Sequence, residues 1–487
     1  MRHSIIFLTI AILLTASFIS QNHLAAQDKS AMIDELVQQY HDYGQFDGVV
    51  LVAKGGKVLL KKGYGYANRE WDIPNEPDTK FRVGSITKQI TAMAIMILHE
   101  QGKLNVNDLI CKYISDCPAP WKDITIHHLL TNTSGIPNFQ YFPDNDQYER
   151  LPTTVEKTID RFKHKELMFK PGTKYGYSSS GYVLLGYIIE QVTGKKYEQV
   201  LEESIFEPLR MKNSGYDHPL TILKHRAAGY GQEGQTVHNA VHFEMDTPHA
   251  AGALYSTAED LFLWDKALYT TQLVSRQILD TIFMEHFQLG EGWGYGYGWY
   301  TGKLLNRNVL LHDGAISGFR TQLFRFPDDK IFIVSLSNME HSNLFPINQN
   351  IAAIILNEKY EQPKKFIRDT LYQIIVKEDV ASARKLYNEL KQKYPDDYDF
   401  SNYQLNWLGV SLRDSGMLDE AIEVYKWIME LYPDWFESYN GIADVYRLKG
   451  DKEQAIKNYA KSLELNPDID YARAVNEVLI ELTEQDN

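Results

Sequence analysis

Three short fragments lie in one stretch of the chain and place reactive side chains in a fixed order: Ser85-Ile86-Thr87-Lys88, Tyr177-Ser178-Ser179 and His312-Asp313-Gly314. A serine followed three residues later by a lysine at a helix start presents both side chains on one face, with β-carbons about 5–6 Å apart. The amine can therefore reach the hydroxyl. Any one fragment alone carries little information, but the three together require a fold that brings them to one site.

The first fragment is predicted to open a buried helix, because Ile86–Leu98 has apolar residues at helical spacing. Helix-start amides would stabilise an oxyanion on the atom bonded to Ser85. A serine hydroxyl is a weak nucleophile, so it needs a neighbouring base that is uncharged and can accept its proton. Lys88 can serve only if desolvation or cationic neighbours lower its pKa from about 10.4, and a shift of three units costs about 4 kcal/mol. Taken together with the other two fragments, this pair indicates acyl transfer through a covalent serine ester.

The other two fragments supply candidate partners for Ser85. The loop before an apolar helix delivers Tyr177, which near two cations would relay the proton as a phenolate or as a hydrogen-bonding phenol; the alternative is an ordinary packed aromatic. His312 follows a strand-like run and would supply a donor, and a cation when protonated. Gly314 would let substrate approach the backbone, and the Ala315 N–H would complete the oxyanion hole.

Composition limits the other functions. The chain has 487 residues, too many for one ordinary domain, with 64 acidic and 50 basic residues and a net charge of −14. This charge disfavours nucleic acid and anionic lipid surfaces as partners. The adjacent pair His127-His128 lacks helical spacing for a metal site and is interpreted as structural, and the run 294–298 of alternating glycine and tyrosine is expected to line a cleft or a strand turn.

Residues 1–26 have the pattern of a secretory signal: a basic start at Arg2-His3, an apolar run Ile5–Ile19 and small residues at Ala25-Ala26. An uncleaved anchor is the alternative, but the run is shorter than the ~20 residues that span a bilayer. We expect cleavage near Ala26 and an exported protein, periplasmic or secreted, without a stable membrane span. In an oxidising compartment Cys111 and Cys117 form a disulfide or remain two thiols, and the sequence favours neither.

Residues from about Phe46 to Leu356 resemble class C β-lactamases and their esterase and D-alanyl-D-alanine peptidase relatives. Besides the three fragments, the stretches 124–136, 208–211 and 251–261 agree with that family in order. The resemblance implies an α+β fold, an α/β sandwich with a mostly antiparallel sheet and a helical region, over a domain at 27–357. It implies Ser85 as the nucleophile, Lys88 and Tyr177 as its activators, His312 where β-lactamases usually keep a lysine, and no metal or organic cofactor.

Two departures from the β-lactamase pattern limit the substrate. Ser179 stands where the family usually has an asparagine that holds an acylamide, and a hydroxyl lacks an amide's paired donor and acceptor. His312 is only partly charged near pH 7, which weakens capture of a substrate carboxylate. We therefore expect an ester or small peptide substrate, including D-amino-acid peptides, rather than efficient β-lactam hydrolysis. A β-lactamase or D-alanyl-D-alanine carboxypeptidase, and a non-hydrolytic envelope binding or scaffold protein, remain alternatives.

A polar segment at 358–365 is interpreted as a linker to a second module at 366–484. In it Gly416, Ala421, Tyr425 and Pro433 recur 34 residues later as Gly450, Ala455, Tyr459 and Pro467, the period of tetratricopeptide repeats. A looser earlier copy and a final helix from about Asp470 to Leu482 would give three repeats and a cap. The module is expected either to bind a protein or peptide partner or to act as a stabilising appendage.

Overall fold

The structure is a computed structural model that describes residues 29–233, 236–466, 475–476, 478–480 and 482–483. The predicted signal segment 1–26 lies outside these residues. The chain divides into two compact units, one containing residues up to 231 and 239–361, the other containing 232–238 and residues from 362 on. Within the described residues, no helix combines the length and apolar character needed to cross a membrane.

The first unit is built on an eight-stranded antiparallel sheet in the order β3-β4-β5-β6-β7-β8-β1-β2. The first two strands along the chain form a hairpin, and Gly55 and Gly56 make the turn with φ of +58° and +77°. The strands are β1 (Gly48–Lys54), β2 (Lys57–Tyr64), β3 (Phe287–Gly290), β4 (Trp293–Tyr295), β5 (Tyr300–Leu304), β6 (Arg307–Ile316), β7 (Phe319–Phe326) and β8 (Ile331–Ser337).

Helices cover both faces of this sheet, so its central strands are apolar on both sides. In β1, Val50 and Val52 pack with the first and last helices of the unit, whereas Val49 and Leu51 face the larger helical region. Burying each such side chain contributes about 1.5–3 kcal/mol. The longer helices are α1 (29–42), α2 (Thr87–Glu100), α3 (Val155–Lys163), α4 (Ser179–Thr193), α5 (Ala258–Ala267), α6 (Arg276–Phe283) and α7 (Leu344–Leu356).

The predicted buried helix is α2, and a 3₁₀ turn at Gly84–Ile86 precedes it. Ser85 therefore lies in that turn, one residue before the α-helix, and Thr87 donates its N–H to the carbonyls of Gly84 and Ser85. Every residue of α2 from Thr87 to Leu98 is buried. The structure joins Cys111 and Cys117 in a disulfide, which decides between the two states that the sequence left open.

The second unit consists of antiparallel helix pairs, α8 (Ile367–Lys377) with α9 (Val380–Lys393), α10 (Asn402–Asp414) with α11 (Leu418–Leu431), and α12 (Phe436–Lys449) with α13 (Lys452–Leu465). The repeated alanines and tyrosines of the sequence pattern are buried. A Cβ built at Gly409 or Gly441 would come within 2.7 Å or 2.4 Å of the Tyr425 ring, so small residues are required where the helices cross. Part of the predicted final helix, 470–482, lies outside the described residues.

Candidate active site

The turn that carries Ser85 packs closely against strand β6. Gly84 has φ of +50°, and a Cβ built on it would lie 2.8 Å from the backbone nitrogen of Ala315. A Cβ built on Gly314 would lie 3.1 Å from the backbone nitrogen of Ser85. The backbone N–H groups of Ser85 and Ala315 therefore lie at the contact between the turn and the strand, and the Ser85 side chain is partly exposed there.

Lys88 is fully buried, with its amine in contact with three oxygen atoms. Its Nζ lies 2.9 Å from Ser85 Oγ, 2.9 Å from the carbonyl oxygen of Ala251 and 3.4 Å from Ser179 Oγ. Burial lowers the pKa of Lys88 to about 7, and the negative charge of Asp313 opposes this shift. Of the two causes considered from the sequence, desolvation rather than cationic neighbours therefore lowers the pKa of Lys88.

The contacts of Lys88 define where its lone pair points when the amine is neutral. The carbonyl of Ala251 can only accept a hydrogen bond. Ser179 donates its hydroxyl hydrogen to Gln140 Oε1 at 2.6 Å, so its oxygen accepts from Lys88. Two N–H groups are thus engaged, and the lone pair is left facing the hydroxyl of Ser85. This is the arrangement that a general base needs.

Burial raises the pKa of Tyr177 well above the usual value, and the neighbouring Ser85 side chain opposes this shift. The Lys88 amine lies 4.9 Å from the centre of the Tyr177 ring. Of the two forms left open by the sequence, a neutral phenol that relays a proton fits this environment, since a phenolate would be desolvated. Tyr177 therefore lies beside both Ser85 and Lys88.

His312 is buried among aromatic rings, with ring centres 5.2 Å from Tyr300 and 6.4 Å from Tyr177. Its Nδ1–H donates to the carbonyl of Asp313 at 2.6 Å, so Nε2 accepts from the Tyr295 hydroxyl at 3.3 Å. Burial lowers the pKa of His312 to about 4. Burial among these rings therefore favours the neutral imidazole, whereas the sequence alone suggested a partly charged one.

Strand β6 has an open edge beside Ser85. Pairing of β5 with β6 ends at Tyr300 and Leu311, and in the described part of the chain residues 312–316 pair only with β7. Thr321 of β7 donates its hydroxyl to the carbonyl of Val83 at 2.8 Å. This bond ties the Ser85 turn to the sheet.

The structure adds residues that the motifs did not indicate. Gln140 orients Ser179, the Ala251 carbonyl holds Lys88, and Thr321 anchors the Ser85 turn. These contacts come from segments far apart in sequence and leave no local signal. The glycine-tyrosine run gave a partial signal, because Tyr295 contacts His312 and a Cβ on Gly298 would lie 2.9 Å from the Lys88 carbonyl.

The histidine pair has structural contacts. His128 caps its short helix through Thr125, and His127 lies 2.7 Å from the Tyr297 hydroxyl through Nδ1. Burial lowers the pKa of both imidazoles, that of His127 to about 4. Across the described residues no three histidine, cysteine, aspartate or glutamate side chains are grouped closely enough to hold a metal ion.

The turn that carries the Ala251 carbonyl packs closely against Gly186, where there is no space for a side chain. A Cβ built on Gly186 of α4 would lie 2.5 Å from Ala250 Cβ and 2.7 Å from His249 Nε2. Gly186→Ala is expected to displace the turn His249–Ala251, and with it the carbonyl that holds Lys88. The reaction of Ser85 with a fluorophosphonate should then slow about 10- to 100-fold. The control is Gly181→Ala on the same helix, where the nearest atom is 3.6 Å away. Equal labelling rates for both variants would contradict the prediction.

An antiparallel sheet covered by helices, with serine, lysine and tyrosine side chains meeting beside one of its strands, defines a β-lactamase or transpeptidase-like α+β protein. The beta-lactamase family model matches residues 33–357, and the chain belongs to that family of hydrolases. A tetratricopeptide repeat model matches residues 436–469. Both parts of the predicted fold class are thereby confirmed.

Individual relatives agree with this assignment. Penicillin-binding protein 4* of Bacillus subtilis is 28% identical over 362 residues, which are 70% of this chain and 79% of the relative. An octameric penicillin-binding protein homologue from Pyrococcus abyssi is 30% identical with a TM-score of 0.62, covering 71% of this chain and 81% of that one. EstCE1, a hydrolase with promiscuous acyltransferase activity, shares the fold at 23% identity, with a TM-score of 0.60 over 68% of this chain and 99% of its own.

Proposed function

We propose that this protein is an exported serine hydrolase that forms an acyl-enzyme on Ser85, with an ester or a small peptide or amide as substrate. The observation that carries the proposal is the buried Lys88 amine, 2.9 Å from Ser85 Oγ, with its other hydrogen-bonding directions occupied. The predicted signal segment supports export. The acidic net charge is consistent with a small-molecule substrate rather than nucleic acid.

Acylation begins with attack of Ser85 Oγ on the substrate carbonyl carbon while the hydroxyl proton moves to Lys88 Nζ. The carbonyl oxygen becomes an oxyanion, and the backbone N–H groups of Ser85 and Ala315 stabilise it. The oxyanion then reforms the carbonyl as the bond to the leaving group breaks. The proton reaches that group from Lys88 through the Tyr177 hydroxyl, which gives up one proton and takes another. Water attacks the ester by the reverse relay and releases the acid.

The polar groups around Ser85 favour an ester or small amide over a β-lactam. His312 is a neutral donor and acceptor engaged by Tyr295 and its own backbone, so it offers no cation to a substrate carboxylate. Ser179 is committed to Gln140 and Lys88. Because relatives are named penicillin-binding proteins, a β-lactam or D-alanyl-D-alanine substrate is the alternative.

The test is intact-mass spectrometry of the full chain after exposure to a fluorophosphonate and, separately, to a penicillin. Wild type is expected to gain one fluorophosphonate adduct, and Ser85→Ala none. Ser275→Ala, at an exposed serine before α6, serves as the matched control and should label like wild type. A lasting penicillin adduct would favour the peptidoglycan-directed alternative. No adduct with either reagent would favour a non-hydrolytic binding protein and overturn the proposal.

The tetratricopeptide unit is proposed to bind a protein or peptide partner. Tyr403 and Trp407 lie one turn apart on α10 and are 54% and 52% exposed, which is unusual for aromatic side chains of this size. Aromatic side chains are enriched at the centres of protein interfaces. The two residues supply apolar anchors for such a partner.

A further inference from the structure

The turn His249–Ala251, which carries the carbonyl that holds Lys88, has a second side-chain contact with α2. Lys88 Nζ lies 2.9 Å from the carbonyl oxygen of Ala251, and Thr91 Oγ1 lies 2.7 Å from the preceding carbonyl oxygen, that of Ala250. Thr91 is fully buried, three residues after Lys88 on the same helix. Two consecutive carbonyls of the turn are therefore bound by α2, one by the reactive amine and the other by a hydroxyl.

The hydroxyl of Thr91 has three oxygen neighbours but only one hydrogen. The carbonyl oxygens of Ala250 and Thr87, at 2.7 Å and 3.2 Å, can only accept a hydrogen bond. The third neighbour, the Tyr197 hydroxyl at 2.6 Å, therefore donates its own hydrogen to Thr91. The result is a chain of hydrogen bonds in which Tyr197 donates to Thr91, and Thr91 donates to the Ala250 carbonyl.

Tyr197 is itself fixed in position by its surroundings. It is fully buried, and its backbone N–H donates to the carboxylate of Glu190 on α4 at 2.9 Å. Its ring lies against the ring of His249, with centres 4.8 Å apart. Burial raises the pKa of Tyr197, so its hydroxyl keeps the hydrogen that it donates. Tyr197 thus supports the turn directly through its ring and indirectly through Thr91.

The turn needs this support because its first residue has a strained backbone. His249 is buried and has φ of +38°, a value that residues other than glycine rarely adopt. Such a conformation persists only where surrounding contacts enforce it. Without the hydrogen bond from Thr91, the peptide groups of the turn are free to rotate toward a relaxed conformation. The Ala251 carbonyl would then move away from Lys88.

We propose that Thr91 is a positioning residue for acylation: supported by Tyr197, its hydroxyl fixes the turn so that the Ala251 carbonyl engages Lys88. The inference rests on the proposed acyl-transfer function at Ser85. The lone pair of neutral Lys88 faces Ser85 only while that carbonyl takes one of its N–H groups. Thr91 acts through the backbone of the turn, so loss of its hydroxyl slows proton transfer without changing how the substrate binds.

The test is Thr91→Val, which keeps the shape of the side chain and removes the hydroxyl. The acylation rate constant at saturating p-nitrophenyl butyrate is expected to fall about 10- to 100-fold. The half-saturating concentration should change less than about threefold, and Thr91→Ser should stay within about threefold of wild type in both values. Rates are expressed per active site titrated with a fluorophosphonate, so an unfolded fraction does not count as slow enzyme.

Thr158→Val is the matched control. Thr158 is also fully buried on a helix, α3, and its hydroxyl also contacts a tyrosine hydroxyl, that of Tyr148 at 3.3 Å. Loss of this contact is expected to lower the Tm and leave the acylation rate per site unchanged. An equal loss of rate in Thr91→Val and Thr158→Val would therefore assign Thr91 a merely structural role and overturn the inference.

Tyr197→Phe tests the chain of hydrogen bonds independently, including the case in which Thr91→Val does not fold. Alone it should slow acylation about 3- to 10-fold, and in the Thr91→Val background it should have no further effect, because the chain is already broken. Wild-type acylation rates in Thr91→Val or in Tyr197→Phe would overturn the inference. Ser85-dependent ester turnover by wild type would keep the proposed function standing in that case, whereas its absence would overturn both.

Discussion

Lys88→Met is expected to lower kcat/KM for a small ester by about 10²- to 10⁴-fold, the range over which a positioned general base accelerates proton transfer. The same substitution should stabilise the fold near neutral pH. Burial lowers the pKa of Lys88 from 10.5 to about 7, so at or below pH 7 the folded state carries a penalty of about 4 to 5 kcal/mol for this side chain. A buried methionine does not incur that penalty, although it leaves the Ala251 carbonyl without this donor.

The pH dependence gives this prediction a definite sign. Between pH 7 and 10.5 the unfolded chain holds a proton on Lys88 that the folded protein has released. Wild-type stability therefore rises with pH across this window, by about 1.4 kcal/mol per unit, and the advantage of Lys88→Met shrinks at the same rate. Denaturant unfolding at pH 6.5, 8 and 9.5 measures the difference.

Catalysis should follow the same titration, because only neutral Lys88 accepts the Ser85 proton. The wild-type acylation rate is expected to fall on the acid side of about pH 7. Lys103→Met, at an exposed lysine just beyond α2, is the matched control for both measurements. A pH-independent stability difference between Lys88→Met and wild type would show that Lys88 is not buried as a neutral amine.

Gly314→Ala is expected to reduce the rate of Ser85 acylation about 100-fold or more. The added Cβ would lie 2.1 Å from the Val83 carbonyl oxygen and 2.4 Å from Thr321 Oγ1. Val83 precedes the turn that carries Ser85, and backbone atoms cannot rotate away as a flexible side chain can. The turn that carries Ser85 must therefore move away from β6 to make space for the added Cβ. A displacement of about 1 Å at a reaction centre lowers the rate on the order of 100-fold.

Thermal unfolding monitored by circular dichroism distinguishes this displacement from loss of the fold. Overpacking costs about 1–3 kcal/mol, so the variant should remain folded at 25 °C with a lowered Tm. Gly181→Ala provides the glycine-to-alanine control, since its nearest contact is an ordinary 3.6 Å. If Ser85 in the Gly314→Ala variant reacted with a fluorophosphonate at the wild-type rate, the tight contact between β6 and the Ser85 turn would be contradicted.

Features that depend on local spacing were predictable from the sequence. The Ser85–Lys88 contact follows from helical geometry, although a 3₁₀ turn rather than the α-helix itself carries Ser85. The hairpin at Gly55-Gly56 follows from its turn residues. The 34-residue period predicted paired helices because each repeat must bury the same small and aromatic positions.

Only the tertiary structure determined the protonation and orientation of these groups. The neutral Lys88 amine requires burial by several elements, and its lone pair is directed by the Ala251 carbonyl, 163 residues away. Aromatic rings from three segments surround His312, and this burial lowers its pKa and favours the neutral imidazole. Residue type and spacing are properties of the chain, whereas solvation and long-range hydrogen bonding arise when distant segments pack. The sequence by itself therefore determined which groups can react, and packing decided which of them carry a proton.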